Sequence, residues 1–206
     1  MGCYFPGVYS IRTKHMKTLN DYIAVYKEQL TKKDIQKAYH GLMKYMMSLK
    51  THIANSLSGQ FVFGNLSFGY MDFTYFPFHN DFLRSQKLRF GIVLNHEEMR
   101  IELWLMGQNA HVQKKHRDLL KTNHWNKDCE AMPVYSVLEA VLTEDPDFNH
   151  PEKLNTEIEK QVVHISEEII AELKRLKGVH WKYSASLSSI KSFLFLIPAL
   201  GTSIIV

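Results

Sequence analysis

The chain has 206 residues, with 25 Lys and Arg against 21 Asp and Glu, a formal net charge of +4, 45% apolar and 22% charged residues. These are the proportions of an ordinary globular chain, and the excess positive charge is too small to indicate a nucleic-acid partner by itself. Cys3 and Cys129 are the only cysteines, which excludes a disulfide framework and a four-thiolate zinc site and fits a reducing compartment such as the cytoplasm.

Residues 1–15 have neither helical nor strand periodicity and are expected to form an N-terminal extension. Gly2 and Cys3 are residues of a lipid anchor, but Pro6 stands where the myristoylation signal takes Ser or Thr. Residues 16–177 are expected to form a single domain, followed by an atypical tail, 178–206. That tail has no acidic residue and no charge from Ser192 onward. Its apolar run of about fifteen residues is shorter than the ~20 that span a bilayer as a helix, and Pro198 and Gly201 interrupt it, so no stable membrane insertion is expected. A packed strand or hairpin, an interfacial segment and a non-native ending all fit it.

In chain order, Leu19, Tyr22, Ile23, Tyr26 and Leu30 recur at helical spacing and place one apolar stripe toward a core. Thr31 with Asp34 reads as a capping-box variant opening a second helix. Its stripe is Ile35, Tyr39, Leu42, Met46, Leu49, Ile53 and Leu57, and Ser58-Gly59 ends it. From Gln60 to Phe76 the period changes to two, with Gly64-Asn65 as a turn between a short strand and a longer one. On the longer strand Tyr70, Asp72, Thr74 and Phe76 share one face.

Lys87 to Gly107 reads as a hairpin about the four-residue loop Asn95-His96-Glu97-Glu98. Pairing Leu94 with Met99 gathers Leu88, Phe90, Ile92 and Leu94 with Met99, Ile101, Leu103 and Leu105 on a core face. The opposite face then carries Lys87, Arg89, Val93, Arg100, Glu102, Trp104 and Met106. In that register Arg89 lies across from Trp104, where a guanidinium can stack on an indole, and Glu102 lies between the two arginines. Arg89, Arg100, Glu102 and Trp104, with Tyr70 and Asp72 nearby, are therefore the candidate ligand-binding residues.

Asn109 is expected to cap the next helix, with Val112, His116, Leu119 and Leu120 inside and Lys114, Lys115, Arg117 and Lys121 outside. Asn109, Lys114, Lys115, Arg117 and Lys121 form a candidate anion or phosphate surface, although no glycine-rich phosphate loop occurs. Val134 to Leu142 fits a strand or a short helix. A turn at Asp145-Pro146-Asp147-Phe148 leads to a last helix capped by Thr156 and Glu159, with Ile158, Val162, Ile165, Ile169, Leu173 and Leu176 as its stripe.

Catalytic motifs are mostly missing. His96-Glu97 begins like a zinc-protease motif, but Arg100 stands where the second histidine must be. Neither cysteine has a histidine partner by motif. Asp72 and Glu102 resemble the strand carboxylates of metal-dependent nucleases, yet Trp104 occupies the position where that pattern places a lysine. No metal site and no cofactor can be named from these residues.

FGYMDFTYF at Phe68 to Phe76, KLRFGIVLNHEEMRIELWLMGQN at Lys87 to Asn109, the following VQKKH, and the late PDF with its helix resemble a group of small bacterial hypothetical proteins classed as a domain of unknown function. The resemblance covers about Met16 to Lys177. It implies a bacterial cytoplasmic protein and supplies no activity, cofactor or catalytic residue. It also implies an arginine in many relatives between Gly107 and Asn109, where this chain has Gln108.

The expected architecture is α+β, an antiparallel sheet of four or five strands packed against long helices. The expected function is a non-enzymatic domain that binds an anionic or planar small ligand or a partner protein. The alternative is a metal-dependent nuclease-like or nucleic-acid-binding domain in which Asp72 and Glu102 hold the metal and the lysine helix contacts phosphate.

Overall fold

A computed structural model describes residues 17–127 and 131–193, with side chains placed through residue 178. The N-terminal extension, Cys129 and residues 194–206 of the tail lie outside the described residues. The chain divides into two compact units, Met1–Leu42 and Met43–Val206.

In the first unit, helix α1 spans Leu19–Lys32. Thr18 and Asp21 form a reciprocal capping box, in which the Asp21 carboxylate accepts from the Thr18 backbone N–H at 2.7 Å. Both amides would otherwise face solvent without a helical partner. The helix ends at Lys33, which turns left-handed at φ 65° and donates its N–H to the Leu30 carbonyl. Helix α2, Asp34–Ser56, starts there. The capping box thus sits at Thr18–Asp21 and not at Thr31–Asp34. Thr31 is still helical and its hydroxyl donates to the Lys27 carbonyl, because the chain breaks at Lys33 rather than at a cap residue. None of the α1 residues is buried, and Leu19, Tyr22, Ile23 and Tyr26 are exposed, contrary to the stripe expected to face a core.

The second unit holds the rest of α2 and a five-stranded sheet in the order β1 (Val62–Phe63), β2 (Phe73–His79), β3 (Leu88–Asn95), β4 (Arg100–Gly107), β5 (Leu138–Thr143). Every neighbouring pair is antiparallel. Helix α3 (Asp81–Ser85) joins β2 to β3, α4 (Ala110–Leu119) follows β4, and α5 (Pro151–Phe193) follows β5. This is the expected α+β class. One sheet face is the core: Phe76 and Phe78 of β2 pair with Ile92 and Phe90 of β3, which pair with Leu103 and Leu105 of β4, all fully buried. The period of two along β3 and β4 produces this face directly. On α2, Met43, Tyr45, Met46, Leu49 and Ile53 are buried, and on α5, Leu154, Ile158, Val162, Ile169 and Leu173.

The connection from β1 to β2 is longer than the tight turn expected at Gly64-Asn65. It runs over residues 64–72 and is pinned by Gly64 N–H to the Pro77 carbonyl and by a bridge between Ser67 and Tyr75. Helix α5 begins at Pro151, five residues before the expected cap. Proline suits the first helical position because its missing N–H would have no partner there. Thr156 is inside the helix and donates to the Glu152 carbonyl at 3.0 Å. Helix α5 also continues past Lys177 to Phe193, so the first part of the atypical tail is helical. Among the described residues no helix is long and apolar enough to cross a membrane.

A polar contact between α2 and α5 and a buried hydroxyl have measurable consequences. Glu159 of α5 accepts from the Ser56 hydroxyl and lies 2.6 Å from His52 Nε2, both on α2. The Ser56 hydrogen bond, with His52 adding to it, holds the Glu159 carboxyl below the ordinary glutamate range. A group with a depressed folded value stabilises the fold above its unfolded value and loses that stabilisation as pH falls through the folded one. Urea melts recorded from pH 7 down to pH 3 should therefore show a smaller acid loss of stability in Glu159→Gln than in the parent.

The Tyr45 hydroxyl is buried with no hydrogen-bond partner among the described residues, while its ring packs edge-on against Phe148 at 5.1 Å. Burial pushes its ionisation strongly upward. Tyr45→Phe keeps the ring contact and removes the unsatisfied group, so it should stabilise by about 1 kcal/mol in equilibrium unfolding.

Candidate functional site

The second sheet face carries Phe73, Tyr75, Val93, Trp104 and Met106 as a small apolar cluster. Trp104 is 5% exposed and meets the Phe73 ring edge at 4.9 Å. Within this face lies Glu102, only 1% exposed. Its Oε1 accepts from Arg100 Nε at 2.5 Å and from Asn95 Nδ2 at 3.3 Å, and its Oε2 accepts from Trp104 Nε1 at 2.5 Å. A buried carboxylate needs such donors, since its desolvation otherwise costs several kcal/mol. The Glu102 hydrogen bond holds the Arg100 guanidinium above its usual value, and a longer contact to Glu144 at 3.6 Å adds to it. Arg100, Glu102 and Trp104 are thus brought together, as expected, but as a closed fastening between strand side chains.

The hairpin register differs from the expected one by two residues. Asn95 pairs with Arg100, Val93 with Glu102, Gly91 with Trp104 and Arg89 with Met106. The reason is the turn. Asn95 stays in β3, where its side-chain oxygen accepts from the amides of Glu97 and Glu98, so the loop becomes His96 to Met99, closed by Met99 at φ 51°. A shift of two preserves the faces and changes the neighbours. Arg89 therefore does not lie across from Trp104. The space over Gly91 holds the Met106 methyl, which stands 2.5 Å from where a Cβ would be.

Tyr70 and Asp72 do not lie on the strand face assigned to them. Strand β2 begins at Phe73; Tyr70 is 96% exposed on the preceding loop. Asp72 Oδ1 accepts from the amides of Phe73 (2.7 Å) and Tyr70 (2.9 Å), which hold its carboxyl below the usual aspartate range. Beside it, His96 Nε2 lies 2.9 Å from the Thr74 hydroxyl, which donates to the Phe68 carbonyl. The histidine is then the donor, a neutral ring whose protonation burial disfavours, Asp72 opposing. Both Glu102 oxygens and Asp72 Oδ1, on which a divalent metal would rest, already accept hydrogen bonds. Among the described residues no group of three or more His, Cys, Asp and Glu side chains could hold a metal ion.

The basic helix is α4. Asn109 caps it as expected, accepting from Val112 N–H at 3.0 Å. Lys114 is paired with Asp118 at 3.0 Å, and Lys115 and Lys121 are exposed. Arg117 is not on the outer face: it is buried, and its Nη2 donates to the Ala131 carbonyl at 3.4 Å. The segment over α4 widens its inner face, because Gln113 Nε2 also donates to the carbonyls of Pro133 and Val134. Arg117 therefore does not belong to the surface expected with Asn109, Lys114, Lys115 and Lys121.

Arg89 instead joins residues that sequence patterns do not single out. A cavity of about 540 Å³ at the β1 side of the sheet is lined by Val62, Phe63, Gly64, Pro77, His79, Arg84, Lys87, Leu88, Arg89 and Gln108. No acidic residue lines it. Arg84, Lys87 and Arg89 make no ion pair among the described residues. Short α3 places Arg84, starting from Asn80, whose side chain accepts from Leu83 N–H at 2.9 Å. Lys87 sits at φ 58°, donating its N–H to the Arg84 carbonyl at 3.0 Å and accepting from Gln108 N–H at 2.9 Å. A left-handed lysine costs about 1 kcal/mol, and such conformations concentrate at ligand clamps. Phe63 adds a flat wall, stacked on Phe78 at 5.2 Å.

No curated protein and no solved structure matches the chain. A family model described as "Domain of unknown function (DUF7000)" matches residues 19–173, an interval that contains the whole sheet and most of the described helices, and the chain belongs to that family.

Proposed function

We propose that the protein is a binding domain for a small polyanionic ligand, seated in the cavity lined by Arg84, Lys87 and Arg89. The observation that carries this reading is the presence, among the described residues, of three cations without ion-pair partners around one cavity without acids. Like charges gathered in one concavity repel one another, and an anion entering it relieves that repulsion. Two guanidinium groups supply forked donors suited to phosphate or carboxylate, and Lys87 adds a point charge. The cavity volume lies in the range of small-ligand sites, ~300–1,000 Å³. His79 and Gln108 offer further polar contacts, and Phe63 offers a plane to any ring the ligand carries. No proton-transfer or nucleophilic pair lines this cavity, so the reading is binding rather than turnover.

A ligand selective for the folded state raises its melting temperature in proportion to the logarithm of its concentration above Kd. Inorganic pyrophosphate and citrate, titrated into the full chain at low ionic strength, should give a saturable rise that Arg84→Gln, Lys87→Gln and Arg89→Gln each reduce. A rise that is the same in the three variants as in the parent would place the anion elsewhere and overturn the reading.

A further inference from the structure

A second cavity, of about 660 Å³, lies beside α4 and the stretch of α5 around Leu173 to Lys177. Its chemistry differs from that of the first. Leu119, Leu173 and Leu176 supply an apolar floor, and Lys115 and Lys177 stand at its edge without an ion pair among the described residues. The remaining charged wall is self-neutralised, since Lys114 is tied to Asp118 at 3.0 Å. His116 adds no charge. Its Nδ1 lies 2.9 Å from the Val112 carbonyl, which can only accept, so the ring proton is on Nδ1. Burial lowers the affinity of the ring for a second proton.

A polyanion would leave Leu119 and Leu176 uncovered and meet only two cations. A neutral hydrocarbon would leave the lysines unused. We propose that this cavity binds an amphiphilic monoanion, a medium-chain aliphatic carboxylate, with its tail over Leu119, Leu173 and Leu176 and its head group between Lys115 and Lys177. Burial of the tail supplies most of the affinity, and the two ammonium groups fix the polarity of the ligand. The volume suits a ligand of that size.

Titration calorimetry on the full chain tests this with sodium decanoate below its micelle concentration, and with decanol and sodium acetate in parallel. Saturable decanoate binding is expected, with acetate and decanol each at least about tenfold weaker. The exposed double variant Lys115→Glu/Lys177→Glu should keep the parent circular dichroism and melting temperature and lose decanoate affinity at least tenfold. The half-buried Leu176→Gln provides a second variant that weakens the tail contact without reversing charge. Decanol binding as well as decanoate, an undiminished affinity in the double variant, or no saturable binding to the parent would each overturn the proposal.

Discussion

Trp104→Ala should destabilise the protein by about 3–5 kcal/mol, the usual range for removing a large aromatic side chain from a core. In a chain of this size that corresponds to a melting temperature lowered by roughly 6–20 °C. Two losses combine. The indole is packed with Val93, Met106 and Phe73, and its Nε1 is one of three donors to the buried Glu102. Trp104→Phe separates them in part, because it retains a ring against Phe73 while removing the N–H together with some of the indole's volume. A buried acceptor left short of a donor costs ~1–3 kcal/mol, so the phenylalanine variant should recover part of the loss and not all of it. Denaturant midpoints at constant slope measure both. Full recovery by phenylalanine would mean that the hydrogen bond to Glu102 contributes nothing.

Gly107→Ala is expected to cost about 3 kcal/mol, at the upper end of the overpacking range. A Cβ at this position would stand 2.7 Å from the Gln113 amide nitrogen and 3.0 Å from its Cα. These are backbone atoms, which cannot swing aside as a side-chain tip can. The first turn of α4 would have to move off β4, disturbing the Asn109 cap and the bonds from Gln113 to Pro133 and Val134. Gly178→Ala provides the opposite sign: among the described residues nothing lies within 4 Å of the added carbon in α5, and alanine in a helix interior is favoured over glycine by roughly 0.5–1 kcal/mol. Paired thermal melts of the two variants should move in opposite directions. A neutral Gly107→Ala would show that α4 is not seated on β4 as described.

The sheet faces were legible in the sequence because β3 and β4 alternate strictly, and the period of two survives any even error in pairing. The neighbours across the hairpin were not. They depend on whether Asn95 ends the strand or opens the loop, and the balance is set by two side-chain-to-amide hydrogen bonds and one left-handed methionine. That shift of two residues separates Arg89 from Trp104 while leaving Arg100, Glu102 and Trp104 together. Thr18-x-x-Asp21 and Thr31-x-x-Asp34 carry the same local cap signal, and only the break at Lys33 decides between them. Arg84 is not singled out by the sequence pattern, and Lys87 is placed only on the sheet face beside Arg89, for a different reason. Helix α3 spans five residues, too few to show a period, and Lys87 adopts a conformation that no local pattern assigns to lysine. Its closeness to Arg89 and Gln108 is a product of strand order, which brings β2, β3 and the end of β4 to one side of the sheet.

The central claim is that Arg84, Lys87 and Arg89 act together on one anion. Equilibrium binding of pyrophosphate to the full chain, compared with the triple variant Arg84→Gln/Lys87→Gln/Arg89→Gln at about 20 and about 200 mM salt, addresses it most directly. The account predicts saturable one-site binding in the parent, weakened by the added salt as ionic contacts are screened, and no detectable site in the folded triple variant. Pyrophosphate binding of equal affinity and equal salt dependence in the two proteins would contradict it.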